Sequence, residues 1–311
     1  MTVAVPQPFD FHLTVGHQTY YRGRAGADLY VGGTYYRALH HDGRVLAAAA
    51  RPVEDGLALQ VRLPNGGSQA DLAFATERMV ELLGLGADLA GFYRMLADDT
   101  VLAQATASLA GLRPSRTESV FEALVMAIVA QQISAVIARM IRESLVTTYG
   151  TPVEADGHTL YAFPKPESLL RATVEELRGL KLSGRKIEYI QDCAGRTVEG
   201  LIDPARLGSM DDEEAIAEMT KVRGIGRWTA EWVLMRALGR LDVLPAGDLA
   251  LRRVVSELYL EGAAITEKEL ADFAAERWRP YRGLATTYLF AYLRQQRVAK
   301  EAAKAAPEAA F

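Results

Sequence analysis

With 311 residues, the chain is long enough to form about two or three compact units with a substantial apolar core. Half of the residues are hydrophobic and 24% are charged, which is typical of a globular protein in water. The single cysteine, Cys193, excludes an intramolecular disulfide framework and any cluster that needs four cysteine ligands. Because the sequence has neither an apolar run that spans a bilayer nor a signal-peptide layout, we expect a cytoplasmic protein with no membrane partner.

The net charge of −4 argues against a nucleic-acid partner, because proteins that bind nucleic acids are usually basic. The distribution of the charge weakens this objection. Carboxylates gather at 211–214 and at 267–276, whereas basic side chains outnumber acidic ones between residues 221 and 253. The basic residues of this segment are Lys221, Arg223, Arg227, Arg236, Arg240, Arg252 and Arg253. We expect one positive face on an otherwise acidic body, and salt-sensitive binding of modest affinity.

Residues 9–63 alternate apolar and polar side chains in short runs, beginning with FDFHLTV at 9–15. Gly-rich or acidic turns separate the runs, for example at 41–43 and 54–56. Period-two patterning with such turns predicts an antiparallel sheet. We assign residues 1–70 to this β-rich N-terminal domain.

From Asp71 onward the apolar residues follow the period of amphipathic helices. The segment 117–134 opens with capping residues and is then apolar on all sides, which predicts a buried central helix. A loop is expected to lead through FPKP at 163–166 to shorter helices. The helical domain is predicted to cover residues 71–298, and the low-complexity residues 299–311 are expected to form a flexible tail.

The stretch VRGIGRWTA at 222–230 places a Gly-Ile-Gly turn inside a predicted helical pair at about 211–240. We expect Gly224 and Gly226 to permit positive φ and close backbone approach. The helix after the turn offers unpaired N–H groups and a positive dipole end to an anion. Three basic side chains flank the turn, namely Lys221, Arg223 and Arg227. This pattern predicts a helix–hairpin–helix that grips a nucleic-acid backbone.

Three separate segments resemble the helix–hairpin–helix superfamily of DNA base-excision glycosylases: the hairpin, Gly247-Asp248 after it, and AIVAQQISAVIA at 127–138. Within that superfamily the likeness points to the bacterial 3-methyladenine DNA glycosylase II branch, which removes alkylated bases. It runs from about Phe74 to Arg294. The resemblance implies an α+β fold, in which a small TATA-binding-protein-like antiparallel sheet precedes the helical glycosylase domain.

One part of the N-terminal domain departs from that branch. A helix is often found there between the first strands, but the segment between Val15 and Asp28 looks too short for it. We therefore expect a sheet without that helix. The expected purpose of the sheet is packing support for the helical domain.

Asp248 is the predicted catalytic residue. Base removal passes through a sugar oxocarbenium cation, and a carboxylate beside C1′ stabilises that cation and can orient or deprotonate the attacking water. The alternative is that Asp248 only caps the helix that follows, since Asp after Pro-Ala-Gly is a common helix start. The two roles are compatible.

Trp228 stands where superfamily members that also nick the strand carry a nucleophilic lysine. An indole cannot form a Schiff base, so the resemblance implies a monofunctional enzyme that hydrolyses the bond and leaves an abasic site. Trp228 and Trp232 are one helical turn apart, a spacing suited to sandwich a flat cationic base by stacking and cation–π contact. The alternative for Trp232 is a place in the core.

The last long helix adds aromatic candidates for the base pocket. Phe290 lies where related enzymes place another pocket aromatic, and Tyr288 is a further candidate. Tyr288 and Tyr292 are one turn apart and fit a packing role equally well.

Gln131, Gln132 and Ile133 form a polar break at the end of an apolar helix. In the resembling family this corner meets the minor groove and wedges a side chain into the gap left by the extruded nucleotide. The family more often has an apolar residue at the wedge, so the sequence does not decide between Gln132 and Ile133. The alternative is a polar helix terminus that satisfies its own hydrogen bonds.

The residues expected to contact the DNA backbone lie in the hairpin, and they are Arg223, Gly224, Ile225, Gly226, Arg227 and Thr229. The resemblance implies that the backbone carbonyls from Arg223 to Gly226 hold a Na⁺ or K⁺ ion that bridges to phosphate. The five histidines show no metal-ligand spacing, so we expect no zinc. One cysteine cannot hold an iron–sulfur cluster, and hydrolysis requires no organic cofactor.

The leading hypothesis is thus a monomeric, nucleoid-associated glycosylase that acts on double-stranded DNA with an alkylated base. A second hypothesis is a glycosylase for an oxidised or mismatched base, which would need more hydrogen-bond readout and often the missing lysine. A third is a non-catalytic helix–hairpin–helix DNA-binding protein, against which Asp248 and the paired tryptophans argue.

Overall fold

The computed structural model describes residues 1–20, 26–53 and 56–305. Its strands are β1 (Thr2–Ala4), β2 (Asp28–Val31), β3 (Thr34–His41), β4 (Arg44–Pro52), β5 (Ala58–Arg62), β6 (Thr151–Ala155) and β7 (His158–Ala162). Its α-helices are α1 (Phe11–Tyr20), α2 (Gln69–Leu82), α3 (Leu89–Leu96), α4 (Thr100–Ala105), α5 (Val120–Ala130), α6 (Ala135–Tyr149), α7 (Pro166–Arg171), α8 (Val174–Gly179), α9 (Gly184–Val198), α10 (Pro204–Ser209), α11 (Asp212–Met219), α12 (Arg227–Arg236), α13 (Leu249–Tyr259), α14 (Glu267–Arg277) and α15 (Arg282–Ala305). The predicted α+β class is confirmed. None of the helices in these ranges is long and apolar enough to cross a membrane.

The N-terminal strands form a five-stranded antiparallel sheet in the order β1-β5-β4-β3-β2. Tyr35, Leu39 and Ala48 on one face of the sheet belong to an apolar cluster that also includes Met79 and Leu82 of α2. By packing, this first unit therefore runs on through Leu85, past the boundary expected at residue 70. Part of the turn expected at 54–56 lies outside the described residues.

The prediction that FDFHLTV at 9–15 forms a strand is wrong, because Phe11–Tyr20 is a helix. Asp10 starts it by accepting the N–H of Leu13 on its side chain at 2.8 Å. Phe11 and Val15, four residues apart on one helical face, are buried in the cluster that covers the sheet. Helix α1 has room before β2 because it begins at Phe11, upstream of Val15. The expectation of a sheet without this helix is therefore also wrong.

A second hairpin, β6–β7, packs on the opposite face of the sheet, where Leu160 and Ala162 meet Ala38 and Ala47. No strand was predicted for residues 151–162, so this hairpin corrects the prediction. The signal was the Asp-Gly pair at 156–157, whose φ values of 49° and 81° are those of a tight hairpin turn.

The helical part has two apolar cores. One surrounds α5 and includes residues of α6, α9, α11 and α12. The other lies between α3, α13, α14 and the first half of α15. Trp232 of α12 packs against the first core, and Phe290 of α15 packs against the second. The tail expected to be flexible from residue 299 continues as helix to Ala305, and residues 306–311 lie outside the described part.

A buried ion cluster connects the sheet to the start of α5. Arg37 on β3 is fully buried, and its Nη2 donates to Glu122 Oε2 at 2.7 Å. Glu118 Oε2 lies 3.4 Å from the same nitrogen, and Asp28 Oδ2 lies 3.7 Å from Nη1. Three carboxylates around one guanidinium place the first turn of α5 in a fixed position on the sheet.

Replacement Arg37→Met should lower the free energy of unfolding by about 3–5 kcal/mol, because it removes a buried cation that pairs with the carboxylates of Glu122 and Asp28. Urea denaturation measures this loss. In the control Arg253→Ala, an exposed ion pair with Glu257 is removed, and the loss should stay below about 1 kcal/mol. Equal losses in the two variants would contradict a special role for Arg37.

Candidate active site at the hairpin

The predicted helix–hairpin–helix is formed by α11, a turn at 220–226 and α12. Gly224 has a φ of +81°, and a Cβ there would lie 2.2 Å from the ring of Tyr189. The turn therefore requires glycine at this position. Gly226 differs from the expectation, since its φ is −90° and an added Cβ would meet no atom within 4 Å. The fold itself gives no reason for glycine at 226.

The N-terminus of α12 begins without a side-chain cap, because its N-cap residue is Gly226. The first N–H groups of a helix have no partner within the helix. Gly226 and Arg227 are exposed, while Ile225 is buried in the core around α5. The turn thus presents backbone, rather than side chain, at an exposed and electropositive helix end.

Gln131 links the end of α5 to the hairpin. Its Nε2 donates to Gly224 O at 3.1 Å and to Thr229 Oγ1 at 3.3 Å. These contacts hold the Gln131 amide inside the protein and argue against a place for it in the wedge, which stays a prediction for this residue. The Thr229 side chain is buried and its hydroxyl accepts the Gln131 amide, while the contact of Thr229 with the DNA backbone stays a prediction.

Of the two remaining wedge candidates, Gln132 is exposed and has a φ of +56°. Ile133 is half-buried against the core around α5. The left-handed backbone at Gln132 turns the chain between α5 and α6, so the exposed side chain stands at the corner itself.

The two hairpin arginines differ in their surroundings. Arg223 is exposed and its Nη2 lies 3.1 Å from Glu188 Oε2. Arg227 donates to both oxygens of Glu213, at 2.8 and 2.5 Å, and to Glu231 Oε1 at 2.9 Å. The guanidinium of Arg227 thus joins α12 to α11, and the expectation that it contacts the DNA backbone is not supported by this arrangement.

Asp248 is the N-cap of α13. Its Oδ1 accepts the backbone N–H groups of Ala250 at 2.9 Å and Leu251 at 3.1 Å. Its Oδ2 accepts the indole N–H of Trp228 at 3.0 Å. The capping role is therefore real, and the half-exposed carboxylate lies against the first tryptophan of α12.

Three aromatic rings follow one another from the carboxylate inward. Trp228 and Trp232 have ring centroids 6.3 Å apart at an interplanar angle of 70°, and Trp232 and Phe290 are 5.4 Å apart at 52°. The two indoles meet edge to face, so they do not form the sandwich that was expected around a flat base. Arg236 lies over the Trp232 ring, 5.4 Å from its centroid.

The prediction that Tyr288 lines the base pocket is wrong. Its side chain is fully buried, and its hydroxyl donates to Leu112 O at 2.9 Å. The same hydroxyl is 2.7 Å from Tyr93 Oη, and its ring packs on Phe92. Burial raises the pKa of Tyr288, which remains a neutral core residue. Tyr292 packs against the same core as a half-buried residue.

Glu231 is a residue of the site region that the sequence analysis did not select. It is 5% exposed and, together with Arg227, lines a cavity of about 470 Å³ whose lining also includes Glu213, Asp242 and Glu267. Burial raises the pKa of Glu231 to about 7, and the charge of Arg227 opposes this rise. The sequence signal was a lone Glu among the apolar positions of α12.

Described side chains of His, Cys, Asp and Glu form no group of three or more that could hold a metal ion. Among the hairpin carbonyls expected to bind a monovalent cation, Gly224 O accepts the Gln131 amide. A carbonyl oxygen has two lone pairs, so this hydrogen bond leaves one of them for a further ligand.

Stability should depend on pH through Glu231. Because the folded pKa of Glu231, about 7, lies above the ordinary glutamate value of 4.5, the folded chain binds an additional proton between these pH values. The stability that Glu231 contributes is fully present below about pH 4.5 and is lost as the pH rises through about 7. We expect the unfolding free energy of the wild type, relative to Glu231→Gln, to fall by about 1–3 kcal/mol from pH 5 to pH 8. A difference independent of pH, measured by urea titration, would contradict this.

Comparisons with known proteins agree with this geometry. The family model described as "HhH-GPD superfamily base excision DNA repair protein" matches residues 125–280. The DNA-3-methyladenine glycosylase of Bacillus subtilis (strain 168) is 30% identical over 213 residues, which are 68% of this chain and 70% of that protein. The solved 3-methyladenine DNA glycosylase from Archaeoglobus fulgidus superposes with a TM-score of 0.85 at 32% identity, covering 94% of this chain and 98% of that one.

An 8-oxoguanine glycosylase/lyase of Clostridium acetobutylicum, solved in complex with double-stranded DNA, superposes with a TM-score of 0.75. It is 19% identical and covers 93% of each chain, so this likeness concerns the fold alone. The family model matches half of the chain, and the Bacillus enzyme is 30% identical to it. The chain therefore belongs to the HhH-GPD superfamily of base excision DNA repair proteins.

Proposed function

We propose that this protein is a monofunctional DNA glycosylase that flips alkylated bases, of the 3-methyladenine type, out of duplex DNA and hydrolyses the N-glycosidic bond. The observation that carries the proposal is the position of Asp248. Its carboxylate accepts the indole N–H of Trp228, whose ring meets that of Trp232. Both tryptophans lie on α12, the helix that begins at the uncapped hairpin residue Gly226. The proposed DNA-binding hairpin, the aromatic side chains and the carboxylate are thus joined through α12.

In the proposed reaction the bond between C1′ and the base nitrogen breaks, and its electron pair leaves with the base. The sugar becomes an oxocarbenium cation, which the negative charge of Asp248 stabilises across a short distance. Water then adds to C1′, and its proton passes to the carboxylate or to solvent. A base that carries positive charge leaves as a neutral molecule, so no separate acid is needed to protonate it.

The aromatic rings favour a cationic base. Electron-rich indole faces attract a positively charged heterocycle by cation–π contact in addition to stacking. Both related proteins described above at 30% identity or more carry 3-methyladenine in their names. At position 228 an indole replaces the lysine that a lyase step would require, and the product is therefore an abasic site in an intact strand.

The hairpin supplies the grip on the backbone. Gly226 leaves room for a phosphate to reach the first N–H groups of α12, and the exposed Arg223 adds a positive charge nearby. The carbonyls of Arg223 to Gly226 would hold a Na⁺ or K⁺ ion, which supplies charge between carbonyl and phosphate oxygens. Gln132 at the corner after α5 would fill the gap in the stack. We further propose a monomer that works on nucleoid DNA in the cytoplasm.

A glycosylase for oxidised bases is the competing proposal. The fold that the chain shares with an 8-oxoguanine glycosylase/lyase is compatible with this proposal but does not favour it. The indole at position 228 argues against a lyase, and the aromatic wall argues for a charged rather than a neutral base.

Replacement Asp248→Asn should abolish base release from randomly methylated duplex DNA, as measured by mass spectrometry of the freed bases. Binding to DNA with an abasic site should stay within about threefold of the wild type, because asparagine caps α13 as well as aspartate does. Full base release by the variant would exclude Asp248 as the catalytic group. Release of no base by the wild type would contradict the alkylated-base assignment.

The two hairpin glycines should respond differently to alanine. Gly226→Ala should leave the unfolding free energy within about 0.5 kcal/mol of the wild type, because its φ is ordinary and its Cβ meets nothing, yet weaken DNA binding at least tenfold. Gly224→Ala should cost more than about 1 kcal/mol, because it forces a left-handed residue against Tyr189. Urea denaturation and gel-shift titration measure the two effects. Unchanged DNA binding in Gly226→Ala would contradict backbone approach at the hairpin.

A further inference from the structure

The carboxylate of Asp248 is held from two different elements. Backbone N–H groups at the start of α13 bind Oδ1, whereas the indole of Trp228 on α12 binds Oδ2. Trp228 and Asp248 are 20 residues apart in the chain, so this contact spans the loop between the two helices. It gives the carboxylate a second point of attachment, from a different helix, in addition to the helix cap.

The other tryptophan of α12 provides a contrast. Trp232 Nε1 is buried and has no hydrogen-bond partner among the described residues, and its ring is engaged by Phe290 and Arg236. Trp228 therefore differs from Trp232 in using its N–H, and the recipient of that N–H is the proposed catalytic group. A shared role as aromatic wall does not explain this difference.

We propose that Trp228 is a positioning residue, whose indole N–H aims Asp248 Oδ2 at the anomeric carbon. This inference rests on the proposed function. One lone pair of Oδ2 accepts the indole N–H, and the other remains for the sugar cation or for water. Without the N–H, the cap alone holds the carboxylate, which then rotates more widely about its side-chain bonds, and a misplaced carboxylate loses much of its effect on the transition state.

The test compares two abasic analogues in duplex DNA. One carries a pyrrolidine whose protonated nitrogen imitates the oxocarbenium charge, and the other carries a neutral tetrahydrofuran. The ratio of their dissociation constants measures how well Asp248 meets a positive charge at the sugar, independently of stacking and of the grip on the backbone. A residue that only supports the fold would change both constants alike.

The variants Trp228→Phe and Trp228→His separate the donor from the ring. Phenylalanine keeps an aromatic face and has no N–H, whereas histidine Nε2 occupies the same place in the five-membered ring as indole Nε1. We expect Trp228→Phe to lose about 10- to 100-fold of the preference for the pyrrolidine duplex, the range of a hydrogen bond to a charged group. Trp228→His should recover most of that preference at pH 8 while binding both duplexes more weakly.

Trp232→Phe is the matched control, because it makes the same change of ring without removing a hydrogen bond. It should weaken both duplexes in the same proportion. Trp228→3-benzothienylalanine keeps the shape of the indole without its N–H, and it replaces the phenylalanine variant if thermal melting shows that this variant is unfolded. An unchanged preference in the donor-free variants would overturn the inference. A wild type without any preference for the charged analogue would instead overturn the proposed function.

Discussion

The candidate site depends on one constraint: a half-exposed carboxylate must be held in one orientation beside the aromatic rings of α12. Asp248 meets it because the N-terminus of α13 and the indole of Trp228 both donate to it. These donors belong to different helices, and Trp232 and Phe290 connect the two helical cores at the same place. The candidate site therefore lies at the junction of the two cores, and each core contributes an aromatic side chain to it.

The hairpin explains how a chain with a net charge of −4 can hold a polyanion. Arg227 is compensated by Glu213 and Glu231, so much of the basic charge near the turn is internal to the protein. What remains outward is an uncapped helix end, a glycine that the fold does not require, and Arg223. Backbone dipoles of this kind bind a phosphate without a strongly basic surface.

The N-terminal sheet acts on the site through α5. Arg37 on the sheet holds Glu118 and Glu122 at the start of that helix, and Gln131 at its end holds Gly224 in the hairpin. Since a helix is stiff, the two attachments set the distance between the sheet and the hairpin. The exposed Gln132 follows directly and takes its position from the same helix.

Local patterns in the sequence were enough to predict the α+β class, the hairpin at 222–230 and the place of Asp248 at the start of a helix. These features follow from the spacing of apolar residues, the properties of glycine and helix capping. It misassigned 9–15, where alternating residues fit a strand or a helix equally and burial against the sheet favours the helix. Which polar side chains already have hydrogen-bond partners inside the protein became clear only from the folded structure. Gln131 donates a hydrogen bond to Gly224 O, and Tyr288 donates one to Leu112 O. These partners are about 90 or more residues away in the chain, and local sequence patterns do not reveal such contacts.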